Sequence, residues 1–324
     1  MKAIVYTQYG SSDVLQLNEV PTPSPAANEV LIKVLAASVN PLDRHLIRGA
    51  PYLFRLVTGL RKPKITRLGV DVAGKVEAVG SNVTQFKLGD EVFGACRGAF
   101  AEYVCTVEDK LALKPPNISF DDAAAVPVAA VSAFQALRDK GHIQQGHNVL
   151  IEGASGGVGT FAVQIAKSFG AEVTAVCSTR NVAQARSIGA DHVIDYTLQD
   201  FSKSGQRYNL ILAANAHHSI FDYRRALAHD GIFVLVGGGS AQILQALLLN
   251  PLLSLIGTRK MCFVRAKLNK NNLLPLKVLL ETGKVVPVID RRYPLSAVPA
   301  AIGYVEAGHA QGKVVITVAH SNDA

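Results

Sequence analysis

The 324-residue chain has no tryptophan and only four cysteines, Cys96, Cys105, Cys177 and Cys262. No two of these form a C-x-x-C pair, and their spacing is unlike a disulfide framework. A reducing, intracellular compartment is therefore expected, with the cytoplasm as the default. The N-terminus MKAIVYTQYG alternates like a strand and lacks the apolar core of a signal peptide. No apolar run is long enough to span a bilayer. The nearest, ILQALLLNPLLSLIG (243–257), is interrupted by Asn250-Pro251 and reads as a helix packed on the protein or at a subunit contact. Peripheral membrane attachment is its alternative. Basic residues give a net charge of +8 but are not interleaved with aromatics, which argues against nucleic-acid binding.

With 49% apolar and 18% charged residues, the length favours two globular domains. Residues 1–122 hold strand-sized runs between Pro, Gly and Asn, the texture of a β-rich domain. From Ala-rich helix near 123 to 268, apolar strands alternate with amphipathic helices, so a parallel sheet covered on both faces is expected. The tail 269–324 has one helix and the closing strand KVVITVA and is expected to return to the first domain. The fold class is α/β.

The run NVLIE leads into GASGGVG (153–159), a near match to the dinucleotide fingerprint. Gly156 and Gly159 hold its second and third glycine positions, for backbone approach to a pyrophosphate and for close helix–strand packing. Ala154 holds the first, which a methyl group tolerates only where φ is negative. Ser155 and Gly157 complete the turn, and a helix beginning near Val158 would offer free N–H groups to phosphates. About twenty residues on, an NAD site presents a carboxylate. Here EVTAVCSTRN offers Ser178 and Arg180, with no acid until Asp191. A hydroxyl and a guanidinium suit a 2′-phosphate, so NADPH is the expected cofactor.

Together with EVLIKVLAASVNPLDRHLIRG, LGVDVAGKVEAVGSNVTQFKLGDEVFG, AAAVPVAAVSAFQAL, SIGADHVIDY and QGKVVI, these motifs resemble the zinc-independent quinone oxidoreductase-like branch of the medium-chain dehydrogenase/reductase superfamily, almost end to end. The resemblance implies a GroES-like catalytic domain (1–122 and 269–324) and a Rossmann NADPH-binding domain (123–268). It also implies a homodimer. The ligand positions of zinc relatives align here with Asn40, Val70 and, roughly, Val128, which cannot make a zinc site. His217 and His218 have no partners at ligand spacing and read as a polar loop or helix start. A metal-free site suits hydride transfer to an already electrophilic acceptor, a quinone or an α,β-unsaturated carbonyl. Enoyl-thioester reduction stays open, as does a non-catalytic NADPH-binding, crystallin-like or interaction protein.

The resemblance also names site residues. Asn40 would bond the nicotinamide ribose or a substrate carbonyl, or simply form a turn before Pro41. Asp43 reads as a structural anchor. His45 and Tyr52 are candidate proton donors; a surface histidine and a pocket-lining tyrosine are their plain alternatives. Ser132 matches a contact to the carboxamide end of the nicotinamide, or else bonds its own helix backbone. Tyr196 matches a position near the adenosine phosphate. Asn215, Gly237, Gly238 and Gly239 end strands where open sheets bind ligands. Phe263 and Val264 pack beside the nicotinamide or lie at a dimer edge. Gly312 and Lys313 match a C-terminal cofactor-contact motif, with a solvated lysine as the alternative.

Overall fold

The computed structural model describes residues 1–320 except 51, 53–54, 240–241, 246–248 and 250–257. The apolar segment 243–257 therefore lies outside the described residues, apart from Ile243, Leu244, Gln245 and Leu249. The strands are β1 (Lys2–Val5), β2 (Gln16–Glu19), β3 (Glu29–Val39), β4 (Asp71–Val79), β5 (Glu91–Ala95), β6 (Tyr103–Val107), β7 (Leu111–Leu113), β8 (Asn148–Glu152), β9 (Glu172–Cys177), β10 (His192–Asp195), β11 (Tyr208–Ala213), β12 (Leu227–Leu235), β13 (Lys260–Phe263), β14 (Ile289–Pro294) and β15 (Lys313–Thr317). They fall into two compact units, Met1–Val128 with Leu268–Glu281 and Pro287–Ala324, and Ala129–Lys267 with Thr282–Val286.

In the first unit a sheet runs β14-β15-β3-β4-β5-β7, with β6 also on β3. Val30, Ile32, Val34, Val72, Val92 and Ile316 supply inward side chains to its core. Two registers bring distant polar residues together. Ser38 of β3 stands opposite Asp71 of β4, and Val314 of β15 stands opposite Val39 of β3. The second pairing sets the start of β15 beside Asn40, the residue after β3.

In the second unit six strands are ordered β10-β9-β8-β11-β12-β13, all parallel. This is the doubly wound order, with the strand order reversing between β8 and β11, where such sheets open a crevice at the strands' carboxyl ends. Val149, Leu150, Ile151 and residues Leu210, Ile211 and Leu212 are fully buried, as strands covered on both faces must be. The α/β class, with a GroES-like sheet and a parallel Rossmann-like sheet, agrees with the expectation from sequence.

Candidate functional site

In the second unit, β8 runs into the glycine turn and then the helix Gly157–Ser168. Gly153 takes φ +75°, where a Cβ would meet Asn215 at 3.0 Å. Ala154 avoids that strain, because His142 and Asp230 are the only described non-glycine residues with positive φ. The amides of Gly153 and Ala154 both donate to Val176 O, which fastens the turn to β9. A Cβ on Gly159 would lie 2.0 Å from Gly153 O and 2.7 Å from Ala154, so only glycine lets the helix start this close. Gly156 differs: a Cβ there meets only Gly153 O, at 3.6 Å. The fold itself does not demand glycine at that point, and the bare backbone leaves room for a group to approach. Gly156 caps the helix with no side-chain bond, and its first turn has no acid. The first N–H groups are thus available to an anion.

Beyond β9, Asn181 links two serines, a relationship that motif spacing does not reveal. Its Nδ2 donates to Ser155 Oγ at 2.8 Å and to Ser178 Oγ at 3.2 Å. Asn181 is buried, while Arg180 beside it is exposed. Tyr196 is 60% exposed, and its amide donates to Cys177 O, which places it on the same rim. One carboxylate also lies there, Asp195 opposite Cys177. The Thr179 hydroxyl, followed by Thr197, holds it below the usual carboxylate range. Asp191, the first acid after the fingerprint strand, is taken by Lys167 at 2.8 Å. Ser155, Asn181 and Ser178 are therefore brought together beside the glycine turn, with Arg180 exposed next to them.

At the crevice, Asn215 is exposed and its amide lies 3.0 Å from His217 Nε2. Gly237 and Gly238 have a packing reason: a Cβ on either would meet Ala214 O at 2.7 Å or Ala216 Cβ at 2.9 Å. Gly239, beside them, is exposed. Ser132 is buried on the helix Pro127–Gln135. Phe263 is 42% exposed on β13, whereas Val264 is buried. Behind this rim is an unforeseen, partly buried network. His218 Nδ1 lies 2.8 Å from Glu152 Oε1, and the Tyr223 hydroxyl donates to the other Glu152 oxygen. His218 Nε2 reaches Asp200 at 3.3 Å. The bond to Glu152 raises the imidazole pKa, while burial, then Glu152, raises the phenol of Tyr223.

The first unit has its own polar cluster. Asn40 precedes the helix Pro41–Arg48. Asp43 accepts from Asn40 N at 2.8 Å and from Gly69 N at 3.1 Å, which is the anchoring role expected of it. Burial pushes its carboxyl up to about 7. The Asn40 amide donates to Asp71 at 2.9 Å and accepts from Lys313 at 2.8 Å. Asp71 also accepts from Ser38 Oγ at 2.6 Å and from Val128 N at 2.8 Å. Lys313 is therefore buried rather than solvated: its ammonium bonds Val39 O, Asn40 Oδ1 and Asp71. Gly312 takes φ +130°, with no room for a Cβ against Val288 O.

The donor set does not fit zinc. Val70 and Val128 offer no ligand side chains, and the Asn40 amide is committed to Asp71 and Lys313. Among the described residues no group of three or more His, Cys, Asp or Glu is placed to hold a metal. Of the candidate proton donors, His45 is half-buried, and burial, then Arg44, lowers its pKa. Tyr52 is 77% exposed, with the Arg55 guanidinium 4.7 Å from its ring centroid.

Residues 26–116 match the family described as alcohol dehydrogenase GroES-like domain, and residues 188–316 the one described as zinc-binding dehydrogenase. The chain is 37% identical to a 2-methylene-furan-3-one reductase of Solanum lycopersicum, over 98% of this chain and 79% of that one. It is 34% identical to a chloroplastic NADPH-dependent alkenal/one oxidoreductase of Arabidopsis thaliana, with the same coverage. A solved structure, the quinone oxidoreductase from Coxiella burnetii, superposes with a TM-score of 0.86 at 31% identity, covering 98% of this chain and 99% of the other. The fold, the phosphate turn and these likenesses together show that the chain belongs to the quinone oxidoreductase-like branch of the medium-chain dehydrogenase/reductase superfamily.

Proposed function

We propose that this protein is an NADPH-dependent oxidoreductase that reduces quinones or α,β-unsaturated carbonyls without a metal. The observation that bears most weight is the bridge from Ser155 through Asn181 to Ser178. It couples an uncapped helix end to a hydroxyl and the neighbouring Arg180, the donors a phosphorylated ribose needs. The names of the Solanum and Arabidopsis relatives support the acceptor class, and that of the Arabidopsis relative supports the phosphorylated cofactor.

In this reading the turn from Ala154 to Gly159 holds the pyrophosphate, Ser178, Arg180 and Tyr196 hold the adenosine phosphate end, and Asn215, Gly237 and Gly238 line the crevice. Ser132, Phe263 and Val264 border the nicotinamide. Bound NADPH supplies a hydride. Asn40 directs the substrate carbonyl or ribose, and Lys313 and Asp71 fix its amide. No Lewis acid is needed, because the acceptor's own conjugation spreads the incoming electrons onto oxygen. The final proton comes from water, His45 or Tyr52. We also propose a homodimer, for which β13, the last described strand of its sheet, is the natural edge. Four free cysteines support a reducing compartment, taken as the cytoplasm.

The test uses NADPH carrying deuterium at C4 and an enone. Deuterium at the β-carbon of the saturated product supports the proposal. Turnover of a crotonyl thioester alone would favour enoyl-thioester reduction, and binding of NADPH without turnover of any acceptor would favour the non-catalytic reading.

A further inference from the structure

Between Asp43 and Asp71 the chain carries Arg44, Arg48, Arg55, Arg61, Lys62, Lys64 and Arg67 without one carboxylate. Much of this charge is gathered at one built loop. The Arg55 guanidinium lies 4.3 Å from the Tyr9 ring centroid and donates to Gly49 O at 3.0 Å. The Tyr9 hydroxyl donates to Gly59 O at 2.7 Å. Lys64 N donates to Thr58 O, and Gly59 N to Arg55 O, both at 2.8 Å. Gly59 sits at φ +119°, where a Cβ would overlap Lys62 O, so the tip has one defined shape.

What that base holds outward is apolar and basic. Leu56 is 65% and Leu60 68% exposed, and Arg61, Lys62 and Lys64 are exposed around them. Among the described residues none of these three cations pairs with a carboxylate. Two leucines in water gain nothing from the fold, whereas at a lipid interface their apolar surface is removed from water. The cations then lie at headgroup level, where each favours an anionic surface. A polyanion such as a nucleic acid would satisfy the charges and leave the leucines in water.

We infer that this loop, with Leu56 and Leu60 as its apolar prow and Arg61, Lys62 and Lys64 as its cations, docks the protein on an anionic lipid bilayer. Such docking is a property beyond the reaction proposed for the crevice.

The experiment is co-sedimentation of the full chain with vesicles of phosphatidylcholine alone and of equal parts phosphatidylcholine and phosphatidylglycerol. Binding is expected to the mixed vesicles only, weakened but not abolished by high salt. Removing one cation lowers partition by about fivefold, so R61Q/K62Q/K64Q should lose on the order of a hundredfold. L56S/L60S should keep only association that high salt abolishes. An unchanged melting midpoint for each variant checks that it is folded, and L60S alone is the milder version of the apolar test. Wild-type protein left in the supernatant with mixed vesicles would overturn the inference. So would L56S/L60S protein that binds like wild type and is displaced equally well by heparin, the behaviour of a general polyanion site.

Discussion

The Lys313 ammonium lies 3.2 Å from the Asp71 carboxylate, with 3% and 0% of the two side chains exposed, across 242 residues of sequence. Asn40 is held between them. Removing one member of a buried pair strands the other charge and costs about 3–5 kcal/mol. Lys313→Met or Asp71→Leu should lower the stability measured by urea unfolding by that amount. The double variant K313M/D71L should lose much less than the sum.

Gly156 and Gly159 give opposite outcomes on substitution, because a Cβ makes only an ordinary contact at the first and overlaps backbone at the second. Gly159→Val should fail to fold or lose several degrees of melting temperature. Gly156→Val should fold with a normal melting temperature and lose NADPH binding in calorimetry. Loss of folding in both would contradict the assignment of the open side to a phosphate.

Asn181 contributes through the two serines it joins. Asn181→Ala should raise the KM for NADPH about tenfold, the loss of one to two hydrogen bonds, while kcat changes little. Arg180→Ala should weaken NADPH by about 10- to 100-fold, as expected for a charge-assisted bond, and leave NADH unchanged.

His218 predicts a pH dependence. Its folded-state pKa is raised, first by the bond to Glu152. A folded chain that holds this proton more tightly than the unfolded one gains stability, fully present below the ordinary imidazole value of about 6.5. That contribution is lost as pH rises through the raised value. Urea midpoints taken from about pH 6 to about pH 9 should fall in the wild type, and His218→Gln should flatten that part of the curve.

The parallel sheet is legible in the sequence because its strands are uniform apolar runs set between glycine turns, and the negative φ that Ala154 requires is present. Ser178 and Arg180 can be found by counting from the fingerprint. Asn181, one residue further, cannot be distinguished that way, since its role depends on Ser155 lying opposite across the turn. In the sequence Asp71 is only the acid after Val70, and Lys313 stands open between cofactor contact and solvent. Their meaning depends on the pairing of β15 with β3 and of β3 with β4, registers that no local pattern encodes. His218 looks like a loop residue in sequence for the same reason: Glu152 and Asp200 lie on other segments.

The central claim is a metal-free reduction driven by NADPH. Its most direct test is the rate of NADPH consumption with a quinone and with an enone, measured with and without a strong zinc chelator and repeated with NADH. The account predicts turnover with NADPH that the chelator leaves unchanged, and a kcat/KM for NADH lower by about tenfold or more, given the charge-assisted bonds at Ser178 and Arg180. Activity that disappears with the chelator, or equal use of NADH, would contradict it.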